Sequence, residues 1–375
     1  VNNQRALRLE PNTNNAPNVI GGYAGNFVSN TVIGATIAGG GAGNYFGGAF
    51  TNRVLGDFGT VGGGANNTAS GSYPTVGGGW ANTASGGAAT VGGGWANTAS
   101  GIGATVGGGE YNTASGYRAT VGGGWDNTAS NSYATVGGGW GNTASGFDAT
   151  VGGGEQNTAS GEYATVPGGR LNTATNYAFA AGRRAKANHT GAFVWADSTD
   201  ADIASTNANS MTFRVSGGVR IFSNSGATAG VFLAPGAGSW TGISDRNAKD
   251  DFQPVNPTEV LEKVANLPVT TWRYKTQDPS IRHIGPTAQD FKAAFGVGES
   301  DTGIATVDAD GVALAAIQGL NRKLEARSQE AEGRIRQLEA ALKQRDAENA
   351  ALRARLERIE ALLASPAGPA DGPTP

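Results

Sequence analysis

Valine recurs every 15 residues between positions 61 and 166, at 61, 76, 91, 106, 121, 136, 151 and 166. Each stands in the unit T-V-G-G-G-x-x-N-T-A-S-G-x-x-A, as at 75–89 and again at 90–104. The unit holds two short apolar or β-branched patches, Ala-Thr-Val and Thr-Ala-Ser, separated by glycines. It cannot bury a face alone, so successive units must stack. Fifteen residues are too few for a helical repeat and suit one coil of a parallel β-solenoid or β-roll, with glycines at the corners and small side chains filling a narrow interior. Segments 19–26 and 37–44 read as degenerate copies, so 1–60 is assigned to degenerate β repeats and 61–181 to the regular solenoid.

Beyond 181 the period lapses, aromatics appear, and alternation over 212–222 predicts strands. Residues 182–243 read as a compact β neck. From Ser244 the chain becomes charged and helical in spacing, and its tail carries heptads. Placing Ile335 at a and Leu338 at d puts Leu324, Ala331, Leu352 and Ile359 at d and Leu342, Leu356 and Leu363 at a. This predicts a coiled coil over 321–364. Arg327 with Glu332, Arg334 with Glu339, Glu348 with Arg353 and Arg355 with Glu360 then form opposite-sign g to e′ pairs, the pattern of a parallel, in-register homomer. Arg345 at d and Asn349 at a cost stability and help fix register. The last residues, 365–375, read as a disordered tail.

Composition supports a fibrous reading. Glycine makes up 62 of 375 residues, well above the roughly 7% of average usage, yet without the every-third-residue period of collagen. A net charge of −3 gives no basic footprint for nucleic acid or an anionic membrane. No apolar run is long enough to span a bilayer, so no membrane insertion is expected. The absence of cysteine leaves an extracellular protein to be stabilised by other means, of which oligomerisation is the obvious one. A solenoid this thin has little core of its own, and three chains around one axis is the expected remedy. Met211 is the only methionine, so the chain reads as a processed or excised piece.

Candidate chemistry in the repeats is sparse. Trp80, Trp95, Trp125 and Trp140 share one repeat position with Ala65, Glu110, Glu155 and Arg170, which predicts an interrupted ladder along one edge. A glycan-binding strip is one reading; packing between rungs or subunits is the other and is preferred. Glu110 and Glu155 fall roughly three rungs, or about 14 Å, apart, too far for a glycosidase pair. The glycines lack the aspartates of calcium-binding β-rolls and the G-x-x-x-x-G-K-[ST] of a phosphate loop. No metal site and no cofactor are expected. His283 reads as structural, and His189, alone, is uninformative.

Resemblances sharpen this picture. The stretch Ala84-Ser85-Gly86-x-x-Ala89-Thr90-Val91-Gly92-Gly93 resembles the head repeats of trimeric autotransporter adhesins, with a unit one residue longer. The segment 193–198 resembles one found after such repeats in tail-fibre-domain proteins. Ser244-Asp245-Arg246-Asn247-Ala248-Lys249 resembles the S-D-x-x-x-K start of the endosialidase-type intramolecular chaperone family, peptidase S74. His283-Ile284-Gly285-Pro286-Thr287-Ala288-Gln289-Asp290 resembles its h-I-G-x-x-A-Q-[DE] signature, and 312–320 its apolar helix leading into the coiled coil.

That resemblance places a chaperone domain at 244–320 and implies autoproteolysis between Ile243 and Ser244, with Ser244 as nucleophile and Lys249 as general base. Asp245 would orient the turn or the lysine. A lysine acts as a base only where burial favours its neutral form, and assembly of three chains would supply that burial. The bland alternative is that Ser244 and Asp245 merely cap a helix. The expected fold class is thus mainly β, a trimeric parallel solenoid followed by an α-rich chaperone domain and a parallel coiled coil. The expected function is that of an extracellular homotrimeric fibre subunit, of a phage tail fibre or related injection apparatus, contacting a cell-surface glycan or other receptor. The alternative is a trimeric bacterial surface adhesin with the same chaperone domain. At most a single-turnover autoprotease is expected; a main role in freeing a regulatory fragment would need a DNA-binding domain or membrane helix.

Overall fold

A computed structural model describes residues 6–364; the tail assigned to 365–375 lies outside the described residues. The chain divides into two units, one comprising the residues up to Arg220 with Phe232–Thr241, the other Ile221–Val231 and the residues from Gly242 on.

In the first unit each 15-residue repeat closes one coil. Thr105–Val106 and Thr113–Ala114 are the two strands of one repeat. The former pairs in parallel with Thr90–Val91 and Thr120–Val121, the latter with Thr98–Ala99 and Thr128–Ala129, always at the same offset. Glu110 adds a third line of contact through parallel bridges to Trp95 and Trp125. Stacking aligns the strands into a 15-stranded and a 12-stranded sheet, a parallel β-solenoid of about thirteen coils. At ~4.8 Å per coil it is roughly 60 Å long.

Only small side chains fit inside. Val106, Ala114 and Ala119 are fully buried, and so are their counterparts along the stack. The triple glycine has a specific cause. A Cβ on Gly107 would lie 2.4 Å from Gly122 O, and one on Gly109, at φ +88°, would lie 2.1 Å from Gly124 O; the middle Gly108 has open space. Two of the three glycines therefore exist because the next coil's backbone occupies the space of a side chain.

Both ends depart from the period without leaving the fold. Asn18–Gly21 stacks in parallel on Thr36–Ile37, which stacks in parallel on Thr60–Val61, so both segments contribute strands to the stack. The second differs from its sequence reading: an antiparallel hairpin, Ala42–Tyr45 with Gly48–Phe50, interrupts it, and Asn52 rather than Asn44 occupies the repeat's asparagine position. Phe50 of that hairpin packs on Trp80 at 4.5 Å. Leu7–Glu10 runs antiparallel along Asn18–Gly21 at the N-terminal edge.

Past 181 the coils continue. Phe179–Arg183, Phe193–Ala196 and Met211–Arg214 extend the larger sheet in parallel, while Ala185–Ala187 and Ile203–Ala204 extend the smaller one. What changes is loop length and the outer face, where Phe179 and Phe193 take the threonine position and stack at 4.6 Å, while Ala180 and Val194 keep the interior small.

Asp197 gathers the final turns. It accepts hydrogen bonds from Ser216 N (2.8 Å), Thr199 N (3.1 Å) and Arg214 Nε (2.9 Å). The bonds from Ser216 first, and then from Thr199, hold its carboxyl well below the usual carboxylate range. A depressed carboxylate adds stability above its unfolded pKa of about 3.9 and loses it as pH falls toward the folded value. Asp197→Asn should therefore melt below the wild type at pH 7, with the gap narrowing as pH falls below about 4; a gap that is constant with pH would remove the carboxylate from the account.

In the second unit α1 (Pro257–Asn266) starts at Asn256, whose side chain accepts from Thr258 N. Helix α2 (Ala288–Phe295) starts at Thr287 and ends on left-handed Gly296, φ +68°. Between them Thr270–Trp272 pairs antiparallel with His283–Gly285. Helix α3 (Thr306–Leu363) is a single run of 58 residues, about 87 Å at 1.5 Å per residue. α1 packs on its first turns around Ala316 and Gly319, where a Cβ on Gly319 would meet Pro257 O at 2.2 Å.

Candidate functional site

Ser244 and Lys249 are five residues apart, and a short turn brings them together. Asp245 caps the 3-10 turn Arg246–Ala248, its Oδ1 accepting from Asn247 N at 2.9 Å and from Asn247 Nδ2 at 3.2 Å. The turn folds the chain back so that Lys249 Nζ donates to Ser244 Oγ at 2.7 Å. Of the two roles expected of Asp245, its hydrogen bonds belong to the turn. Arg246 lies over the exposed Phe252 ring at 5.1 Å. Ile243 sits immediately before this turn with its N–H donated to Gly230 O at 2.9 Å. Ser244 and Lys249 are both exposed in the single chain.

Further along the same unit, His283 stands in a structural setting. Its Nε2 is 2.8 Å from Gln277 Oε1 and its ring lies 4.8 Å from Trp272. Phe291 of α2 is buried. Helix α3, by contrast, leaves its heptad stripe open: Leu324, Ile335, Leu338, Leu342, Leu352, Leu356, Ile359 and Leu363 are all exposed. The stripe keeps the heptad spacing that a coiled-coil seam requires. The same register runs upstream through Val307, Leu314 and Ile317, also exposed.

The tryptophan column is aligned, through bridges running from Ala65 to Arg170. Trp125 and Trp140 stack at 5.4 Å, and Glu155 pairs with Arg170 at 3.2 Å where the column turns charged. Trp80 packs under the hairpin ring of Phe50. Trp95 is half exposed and leans on Tyr111 at 5.7 Å.

Two further columns escaped the sequence reading. Asn52, Asn67, Asn82, Asn97, Asn112, Asn127, Asn142, Asn157 and Asn172 are completely buried and bonded head to tail. Asn112 Nδ2 donates to Gly108 O, Gly124 O and Asn97 Oδ1, and its Oδ1 accepts from Asn127 N and Nδ2. The available signal was the sameness of this position across units whose neighbours vary. The second column is aromatic: Tyr117, Tyr133, Phe147, Tyr163 and Tyr177 succeed one another at 5.4–5.7 Å.

Among the described residues no group of three His, Asp or Glu converges as metal ligands would, and no helix is long and apolar enough to cross a membrane.

Fold and site together define a fibrous β-solenoid followed by a helical domain that opens on a serine–lysine pair. Residues 244–297 match the family model described as chaperone of endosialidase, peptidase S74; with the solenoid, this fits a tail-fibre-like protein carrying a C-terminal chaperone domain of that family. Comparison with curated proteins gave no match.

Proposed function

We propose that this chain is the subunit of an extracellular homotrimeric fibre whose C-terminal domain brings three copies into register and then cuts itself off before Ser244. The observation that carries the reading is the presence, in one chain, of a long parallel solenoid and a chaperone-of-endosialidase match beginning at the residue that contacts Lys249. The open heptad seam of α3 supports association, and its g to e′ charges favour parallel strands. Solenoid pairing is non-local from coil to coil, and a helical bundle that forms quickly would hold three chains aligned while the coils zip up. Removal of the bundle afterwards leaves the fibre kinetically trapped.

In the cutting step Ser244 Oγ adds to the carbonyl carbon of Ile243 while its proton passes to a neutral Lys249 amine. The Ile243–Ser244 C–N bond breaks, the proton goes to the departing Ser244 nitrogen, and an Ile243 ester on Oγ remains. Water hydrolyses that ester to the Ile243 carboxylate and restores the serine hydroxyl. As observed, Lys249 donates to Ser244; once neutral it accepts from the same oxygen without moving a heavy atom. Both groups are exposed in one chain, so the burial that favours a neutral amine must come from neighbouring subunits.

The trimer is tested in the Ser244→Ala background, where the chaperone stays attached. The native mass should be that of three chains, and adding Leu338→Asp, a charge in the seam, should reduce it to one. A monomeric parent would overturn the reading.

A further inference from the structure

The bond to be cut is held from both sides, and only one side lies within the residues matched to the chaperone family. Downstream, the Asp245-capped turn sets Ser244 against Lys249. Upstream, the Ile243 N–H is tied to Gly230 O at 2.9 Å, and Gly230 ends a loop over 223–229 that one side chain shapes. Asn224 Nδ2 donates to Thr228 Oγ1 at 2.7 Å, and Asn224 Oδ1 accepts from Thr228 N at 3.0 Å and Ala229 N at 3.1 Å. The loop is closed by Ser223 N donating to Ala229 O at 3.0 Å. Its Ala227 and Thr228 line a cavity of about 320 Å³ with Ile243, Asp245, Asn247 and Ala248, directly beside the bond. Gly230 is required where it stands, because a Cβ there would lie 2.1 Å from Ile221 O.

We propose that Asn224 is a positioning residue for self-cleavage: by shaping the 223–229 loop it sets the Gly230 carbonyl that orients Ile243 for attack by Ser244, and builds the wall of the cavity that admits the hydrolytic water. The inference rests on the self-cleavage reading above and extends it. The element that aligns the scissile bond sits upstream of the cut and stays with the fibre. A misplacement of reacting atoms by about 1 Å can cost ~100-fold in rate, and the hydrogen bonds of the Asn224 side chain all stay within its own loop.

The test compares full-length wild type, Ser244→Ala, Asn224→Ala and Asn224→Asp. Appearance of the 1–243 fragment is followed over time on a denaturing gel, and the trimer fraction by native mass. Asn224→Ala should slow cleavage at least ~10-fold with the trimer fraction unchanged. Asn224→Asp keeps the oxygen that accepts from Thr228 and Ala229 and should cleave within about twofold of wild type. Wild-type cleavage by Asn224→Ala, absence of rescue by Asn224→Asp, or a trimer fraction that falls in step with cleavage each overturns the positioning role. A wild type that never cleaves removes the self-cleavage reading itself, and the positioning role with it.

Discussion

Ser244→Ala is expected to remain one band at full length on a denaturing gel, where the wild type resolves into 1–243 and 244–375. The alanine removes only an oxygen on an exposed residue, so folding and assembly should be untouched. Lys249→Ala should block the cut as well, since loss of a general base costs typically 10²–10⁴-fold. Lys249→Arg separates base from charge. A guanidinium keeps the positive charge and the hydrogen bond to Ser244 Oγ but does not release its proton, so it should be as inactive as alanine. Cleavage by the arginine variant would mean that Lys249 acts through its charge alone. Cleavage by Ser244→Ala would remove the nucleophile from the scheme.

Asn112→Leu is expected to lower the stability of the solenoid by about 2 kcal/mol or more, because buried polar groups left without partners cost about 1–3 kcal/mol each. Leucine has the same number of side-chain heavy atoms but two bulkier methyls in place of a planar amide, so overpacking adds to the loss. The substitution would orphan the carbonyl of Gly108 and the N–H of Asn127, which only the Asn112 side chain now serves, and would take from Gly124 O one of its two donors, the other being Glu110 N. Ser115→Ala, one coil edge away on the exposed surface, should stay within about 0.5 kcal/mol of wild type. The check is the unfolding midpoint of the Ser244→Ala parent and of each variant. A midpoint for Asn112→Leu equal to that of Ser115→Ala would show that the ladder carries no stability.

How much of this was legible in the sequence follows from what each feature depends on. The solenoid was readable because stacked coils must repeat the same side chains at the same corner, so Val61 to Val166 recur on a fixed period and are all fully buried. The buried asparagines were on view in every unit, but an amide in a turn-rich repeat reads as a loop residue; that it faces inward depends on the backbone closing around it. The tyrosine and phenylalanine column was hidden for a different reason. Its members are offset by alternately 16 and 14 residues, Tyr117 to Tyr133 to Phe147 to Tyr163 to Tyr177, because neighbouring coils contribute from adjacent positions. A search at period 15 passes over it. The 42–50 hairpin was equally silent, since its anchorage to Trp80 is a tertiary contact.

Ser244 and Lys249 illustrate the opposite case. Their pairing was implied by family resemblance, and the local cause, an Asp245-capped turn that reverses the chain within five residues, needs no distant contact. The loop shaped by Asn224 had no such cue. It reaches Ile243 only through a pairing across 13 residues, from Gly230 O to Ile243 N, and no spacing rule points there.

The asparagine ladder also makes the solenoid a ruler. Along the ladder each coil hands the next an identical set of donors and acceptors, so inserting or deleting one complete unit leaves the asparagine junctions as they were and shifts the far end by ~4.8 Å. Length is then encoded as copy number, adjustable by duplication in 45-nucleotide steps of the gene without redesign of either end, whereas a change of one residue within a unit breaks the hand-over on both sides.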